Sequence, residues 1–415
     1  MDISKLLDRS FAYQGVATLM DLPDIVDTDR HIKDIKVTAD DKIVVSAQLA
    51  KDLIGLRGLT RLTADGSIDR SFGVDGLAAG EVSSSFDLGA GKIALQPDGS
   101  IVMLVGVRPN DNAGQILAVE RYDSEGVLDR QFGDNGLVVL HNPATGDELE
   151  LDQCQVSVQA DGRILVSATY RESFEVSSCR VTRLTSTGQL DITFNGCGQI
   201  EVDNRAYIST RINVLQNAGE NACLVAGTAQ MVGIQCGFVA KYNAKGDPDY
   251  DFGTRGTAGF TDITIRGHQV AIHDVLTKAN GKLVAVGFAT ADGHPESYGL
   301  LVGLNADGTM DHEFNGGLPL LTMIDQRHGN EWVCAHLQRD GKIVVGGGSR
   351  RLYTARFLEH GVLDTTFGSK GFIELDTYLV TPPASMQVQK NGRTLMSGNA
   401  LGLGVGYGQV FACPA

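Results

Sequence analysis

Three observations predict an all-β fold, a seven-bladed β-propeller with four antiparallel strands per blade and a ring closed by the N-terminal segment. One turn motif recurs along the chain, a second turn motif recurs between its copies, and one incomplete copy of the first stands at the N-terminus. At 415 residues the chain is too long for one ordinary core. A repeat architecture removes that difficulty, because each unit buries its faces against its neighbours.

The first motif appears as ADGSIDRSFG (64–73), SEGVLDRQFG (124–133), STGQLDITFN (186–195), AKGDPDYDFG (244–253), ADGTMDHEFN (306–315) and EHGVLDTTFG (359–368), with the partial copy LLDRSFA at 6–12. The residue after Phe is Gly or Asn in the six full copies, and what these share is tolerance of the left-handed backbone region. A turn of positive φ is therefore expected there. A second glycine follows three residues later (Gly15, Gly76, Gly136, Gly198, Gly256, Gly371), and an apolar strand begins after it. Asp8, Asp69, Asp129, Asp191, Asp249, Asp311 and Asp364 precede the Phe in every copy. A short carboxylate there accepts backbone N–H groups and pins the loop, and a catalytic acid is needed once rather than seven times, so these aspartates read as structural. The phenylalanines read as plugs between adjacent sheets.

The second motif is an Asp-Gly or Asn-Gly pair between apolar strands, as in QPDGSIVMLVG (96–106), QADGRILVSAT (159–169), KANGKLVAVG (278–287), QRDGKIVVGG (338–347) and QKNGRTLMSG (389–398). Such a pair signals a hairpin, with a type I′ turn expected. Asp40-Asp41 and Gly219-Glu220-Asn221 replace it in units 1 and 4, where irregular hairpins are expected. Each unit then reads as one strand after the second glycine, two strands of the hairpin, and one strand running into the next turn. On this reading the whole chain, 1–415, is one propeller with blades at about 13–65, 74–125, 134–187, 196–246, 254–308, 316–361 and 369–415, and residues 1–12 close the ring. The motif aspartates lie 61, 60, 62, 58, 62 and 53 residues apart, which marks unit 6 as the trimmed one. The C-terminal GQVFACPA lacks an Asp-x-x-Phe segment, and Leu7–Phe11 supplies it from the other end.

With these motifs the chain resembles the delta-60 repeat β-propeller family of bacterial proteins, the DUF5122 type. Its units carry an A-D-G-S-L-D-x-x-F-G-x-x-G turn and a Q-P-D-G-K-I hairpin. Copies at 62–77, 92–106, 121–136 and 338–371 match closely, and unit 4, with Pro248 and no clean hairpin turn, departs most. The resemblance implies a fold and carries no catalytic residues with it.

The formal net charge of −15 disfavours nucleic acid and anionic lipid as partners. No apolar run approaches the ~18 residues of a spanning helix, so no membrane insertion is expected. The start MDISKLLDRSF has no export-signal pattern, which leads to an expectation of a cytoplasmic protein, with a non-Sec route left open. Seven scattered cysteines without a C-x-x-C pair read as small buried thiols, not as a disulfide framework or a metal ribbon.

Both repeated turns fall on one face of the ring, so function is expected on the other, where the connections differ. There His31, His141, His268 and His328 occupy equivalent loops, with Arg205, Arg211, Arg327, Asp147, Glu148 and Glu331 nearby. Trp332, the one tryptophan, stands beside Arg327, His328 and Glu331. That loop is the expected ligand contact, since Trp and Arg anchor binding surfaces, and the competing reading makes Trp332 a plug in the sheet interface. No nucleophile elbow, zincin helix or phosphate loop is present, and neither a metal nor a cofactor is expected. A rigid scaffold binding a protein or glycan therefore ranks first. A hydrolase or lyase with a polar or metal site at the channel mouth ranks second, and a structural module of a surface assembly third. The chain reads as uncertain for catalysis and more a binder than an enzyme.

Overall fold

The computed structural model describes residues 7–19, 22, 31–51, 54–79, 89–107, 115–140, 148–173, 176–203, 206–253, 259–294, 296–324, 329–348, 351–402 and 405–414. They form seven antiparallel sheets radiating from one axis, the seven-bladed propeller expected from the repeats. From the axis outward, blade 1 runs His31–Val37, Ile43–Lys51, Ile54–Leu62 and Leu77–Ala79. Blade 2 runs Gly89–Leu95, Ile101–Val107, Ile116–Tyr122 and Leu137–Leu140. In blade 3 the inner position is shared by Glu148–Leu149 and Gln155–Val158, followed by Ile164–Arg171, Ser177–Leu184 and Gln199–Glu201. Blade 4 comprises Ser209–Asn217, Cys223–Met231, Ile234–Tyr242 and Phe260–Ile263, and blade 5 His268–Thr277, Leu283–Ala291, Ser297–Leu304 and Leu320–Thr322. Blade 6 has Trp332–Leu337, Ile343–Gly347 and Arg351–Phe357, and its outer strand is the start of Phe372–Val388. The end of that same strand is the inner strand of blade 7, which continues with Thr394–Gly402 and Val405–Cys413.

The sheets are offset by one strand from the expected blade limits. The strand after each second glycine closes the preceding sheet as its outer edge, as Leu137–Leu140 does on Ile116–Tyr122, instead of opening the next. The reason is spatial. The motif turn is short enough to bring that strand back beside the one it has just left. The offset makes the N-terminus part of the last sheet. Val16–Thr18 pairs with the final strand, Ala17 opposite Val410, and the Asp8 N–H donates to the Ala412 carbonyl at 2.9 Å. Outer strands of three or four residues leave little edge for another chain to extend.

Each motif phenylalanine is buried, and all but Phe367 lie against the first motif glycine of the next unit. A Cβ added at Gly126, Gly188 or Gly308 would stand 2.8–2.9 Å from the ring of Phe72, Phe132 or Phe252, so the first motif glycine is the seat of the preceding plug. Gly66 seats Phe11 in the same way, joining the N-terminal segment to blade 1. The motif carboxylates behave as expected and have a partner that the motif alone did not reveal. Asp69 accepts the Ser71 N–H with Oδ1, and its Oδ2 accepts from the Arg61 guanidinium, which also lies 4.9 Å over the Phe72 ring. Arg121, Arg183 and Arg356 repeat this with Asp129, Asp191 and Asp364, and Lys241 pairs with Asp249. In blades 5 and 7 the equivalent position is Gly303 or Ala412, each accepting the motif Asp N–H, and the cation comes from beside the hairpin turn instead: Lys282 to Asp311, Arg393 to Asp8.

Two turn expectations need correction. The Asp-Gly and Asn-Gly hairpins are not type I′; the unit 4 hairpin, where the Ala222 N–H donates to the Gly219 carbonyl with Glu220 at 45° and Asn221 at 60°, does have both central residues at positive φ. The Gly99 N–H donates to the Gln96 carbonyl and, in the Pro97-Asp98-Gly99 turn, glycine alone has positive φ, which is a type I turn followed by a left-handed glycine. Pro97 fits its first central position because the ring fixes a negative φ. In unit 4 the second glycine is Gly259, whose N–H donates to the Phe252 carbonyl as Gly76 does to Phe72; Gly256 lies outside the described residues. The residue after Phe does have positive φ, including Ala12 in the partial copy at 42°.

Candidate functional site

Within each blade the strand directions place both motif turns at one end of the ring. The remaining connections, including those that carry the sequence-predicted site, lie at the other end. Six inner strands carry a β-bulge or similar register shift, located at 32/34, 90/93, 212/214, 272/274, 332/334 and 381/385. The bulge turns an extra side chain toward the axis. One position per blade then forms a ring around a cavity of about 780 Å³: Asp34, Lys92, Gln155, Val214, Asp274, Cys334 and Ser385. Each lies six residues before the first residue of its hairpin pair (Asp40, Asp98, Asp161, Glu220, Asn280, Asp340, Asn391), a spacing that could have identified them from the sequence.

Two of these are carboxylates tied into the wall. Asp34 accepts N–H groups from Ile35 at 2.9 Å and from Ile93 of the next blade at 3.1 Å, and Lys36 lies 3.1 Å from it. Asp274 accepts from Val275 and from Ala335 of the next blade, both at 2.8 Å. Burial opposes the charge on both. At Asp34 the burial is overcome by Lys36, Lys92 and the Ile93 N–H, which hold the carboxyl below the usual range. At Asp274 burial wins and pushes the carboxyl up to about 6, although Ala335, Val275, Lys36 and Lys92 all favour the charged form. Burial also lowers Lys92, raises Glu331, and drops His273, stacked on Phe288, to about 4.

A second cavity, about 690 Å³, opens at the variable end above blades 1–4. Its wall is polar and ion-paired. Glu150 lies 3.4 Å from Arg211 and 3.8 Å from Arg171, Arg171 also pairs with Glu148, and Lys33 bonds Asp152 at 2.7 Å. Gln48, Gln115, His31 and Leu151 complete it. Its outline depends on a short 3-10 turn, Leu151–Gln153, that interrupts the inner position of blade 3.

The structure divides the sequence-predicted residues. His31 lines both cavities and Glu331 lines the axial one, where its carboxyl is within 3.2 Å of the Ser297 hydroxyl. His268 reaches neither; it lies 3.1 Å from the Arg266 carbonyl and packs edge-on to Tyr298. Trp332 is removed from the ligand-contact set: it is fully buried, its indole N–H donates to Thr322 Oγ1 at 3.0 Å, and its ring lies against Gly299, where a Cβ would fall 2.0 Å from Nε1. It is the plug between blades 5 and 6. Arg205, Arg327, His328 and His141, like Asp147, lie outside the described residues. Six cysteines are buried as expected, but Cys197 is exposed on a motif turn; all seven are free thiols. Among the described residues no group of three metal-binding side chains comes together, and no helix is long and apolar enough to cross a membrane.

Residues 159–194 and 338–367 match the family model described as a domain of unknown function (DUF5122) beta-propeller. No curated protein matches the chain in sequence. Among solved structures, a PL25 ulvan lyase bound to -[GlcA(1-4)Rha3S]- superposes with a TM-score of 0.53 at 11% identity, over 94% of this chain and 95% of that one. The polysaccharide lyase Uly1 superposes with a TM-score of 0.52 at 11% identity, over 92% and 90%. At this identity the likeness is one of fold. The chain is a seven-bladed β-propeller, and two of its stretches are similar to the DUF5122 beta-propeller model.

Proposed function

We propose that the ring is a rigid binding scaffold that holds a glycan in the polar pocket at the variable end. The observation that carries the reading is the lining of that pocket: guanidinium, carboxylate and amide groups from four blades meet in one concavity. Sugar hydroxyls are donors and acceptors at once and suit walls where both kinds of group are fixed by ion pairing. Two propellers of the same shape are polysaccharide lyases by name, which favours a glycan over a protein ligand. The pairing of Arg171 and Arg211 with Glu148 and Glu150 favours a neutral sugar surface over a strongly anionic one.

One observation favours a hydrolase or lyase instead: the axial cavity holds two carboxylates with pKa values pushed in opposite directions. Against it, both oxygens of Asp34 and of Asp274 already accept backbone N–H groups that tie one blade to the next. Glycan-array binding followed by calorimetry tests the first reading. Arg211→Ala is expected to weaken a hit about tenfold, the loss of one charge-assisted hydrogen bond. An array without hits, or hits indifferent to Arg211→Ala, removes the pocket from the case. Release of new sugar ends from a bound glycan, lost in Asp274→Asn, would favour the enzyme instead.

A further inference from the structure

The two cavities share a wall. His31 and Lys33 of blade 1 and Leu151, Asp152 and Gln153 of blade 3 line both. The Lys33–Asp152 bond, 2.7 Å long, therefore joins blades that are not neighbours and passes over the inner strand of blade 2 between them. Blade 2 is cut back beneath it. At Gly91 and Gly106 a Cβ would stand 3.4 and 3.2 Å from the Leu151 methyl groups, so the leucine is seated where blade 2 has no side chains. The turn that carries these residues belongs to blade 3 alone among the described inner strands, and the Cys154 N–H closes it on the Leu151 carbonyl at 3.0 Å.

We infer that Leu151 and the Lys33–Asp152 pair form a bar that separates the mouth pocket from the axial cavity and makes the pocket a blind, end-on site. The bar sets what the site accepts. Resting on the glycan reading above, it selects a chain end that stops at the bar and excludes a chain that threads along the axis. It also governs entry of any solute from the mouth into the axial cavity, which does not depend on that reading. Asp152 is largely exposed, its side chain 72% accessible, so removing it opens the bar without touching the core.

The test uses the full chain with Cys197→Ser and Cys334→Ser, to remove the exposed thiol and the native thiol that lines the axial cavity, and with Ser157→Cys, to place a thiol in that cavity. Asp152→Ala and Leu151→Ala are compared with the intact bar, each checked for cooperative melting. The introduced thiol is labelled with N-ethylmaleimide and with bulky fluorescein-5-maleimide. Opening the bar is expected to raise the bulky-to-small rate ratio about tenfold in both variants, equivalent to about 1.4 kcal/mol at 25 °C. An unchanged ratio overturns the bar. In a second arm, oligosaccharides of increasing length, from whichever glycan the array identifies, are titrated into each protein. The intact bar predicts affinity that stops rising at a short length, and the open variants predict a continued rise. The same plateau in all three overturns the role in length selection. A raised labelling ratio with no glycan bound leaves the bar standing and removes the glycan reading.

Discussion

Replacing Arg393 with alanine tests how the ring is held shut. Its guanidinium donates from Nε to Asp8 at 2.6 Å, from Nη2 to the Ser10 hydroxyl at 2.8 Å, and from Nη1 to the Ala64 carbonyl at 3.1 Å and Gln389 Oε1 at 3.0 Å. It thus binds the N-terminal segment, blade 1 and blade 7 together, with the Phe11 ring 5.3 Å beneath it. Removing one partner of a fully buried pair costs about 3–5 kcal/mol. Arg393 is 9% exposed but Asp8 is 25%, so solvent recovers part of this and about 2–3.5 kcal/mol remains. At ~2.1 cal/mol/K per residue over 415 residues, that is a fall in Tm of roughly 2–4 °C. Urea unfolding is the assay, with Arg70→Ala as control, because the Arg70–Asp75 pair is 59% and 52% exposed. Burial disfavours the Asp8 charge, but Ser10 and Arg393 outweigh it and hold the carboxyl below its usual range. A depressed carboxyl stabilises fully above its unfolded value near 4 and loses that contribution as pH falls through the lower folded value. The gap between wild type and Arg393→Ala is therefore full at pH 7 and closes in stronger acid. A loss no larger than the control's at pH 7, or a gap that persists unchanged in acid, refutes the latch.

Three further outcomes follow from the packing and the axial ring. Gly126→Ala puts a Cβ 2.8 Å from Phe72 at a φ of +83° and is expected to cost about 2–4 kcal/mol in urea, whereas Gly219→Ala, with open space around it, costs only the ~1 kcal/mol of backbone strain. Trp332→Phe is expected to cost about 2–4 kcal/mol through its lost indole bond and a cavity, with glycan binding by calorimetry unchanged, since the ring touches neither pocket. Asp274 has a raised folded value of about 6, so its stabilising protonated form is present below the unfolded value near 4 and lost as pH rises to 6. Asp274→Asn is expected to flatten the stability profile between pH 4 and 7 by on the order of 1–3 kcal/mol, measured by urea midpoints across that range.

Repeats made the ring legible because each motif residue answers a local demand: Gly73 a left-handed turn, Asp69 a loop to pin, Phe72 a gap to fill. The faces were legible for the same reason, since uniform turns had to share one end. What escaped depends on neighbours distant in sequence. The strand Leu137–Leu140 carries no mark of the sheet it joins, and the sequence unit begins at its strongest motif instead of at a sheet boundary. Trp332 sits among polar residues in the sequence, but it opens an inner strand and faces Gly299, a pairing that only the packing of blade 5 on blade 6 creates. The hairpin type was within reach, because Pro97 cannot take the positive φ of a type I′ turn. The axial ring was encoded at a fixed spacing from the hairpins, yet its members range from Asp34 to Val214 and share position without sharing chemistry.

The central claim is that the first residues complete the last sheet. Native-state hydrogen exchange at Val16–Thr18 measures it directly. The closed ring predicts that protected amides there open only with global unfolding, as slowly as those of Ser177–Leu184 in blade 3. Exchange at the rate of a frayed chain end, with blade 3 still protected, would contradict it.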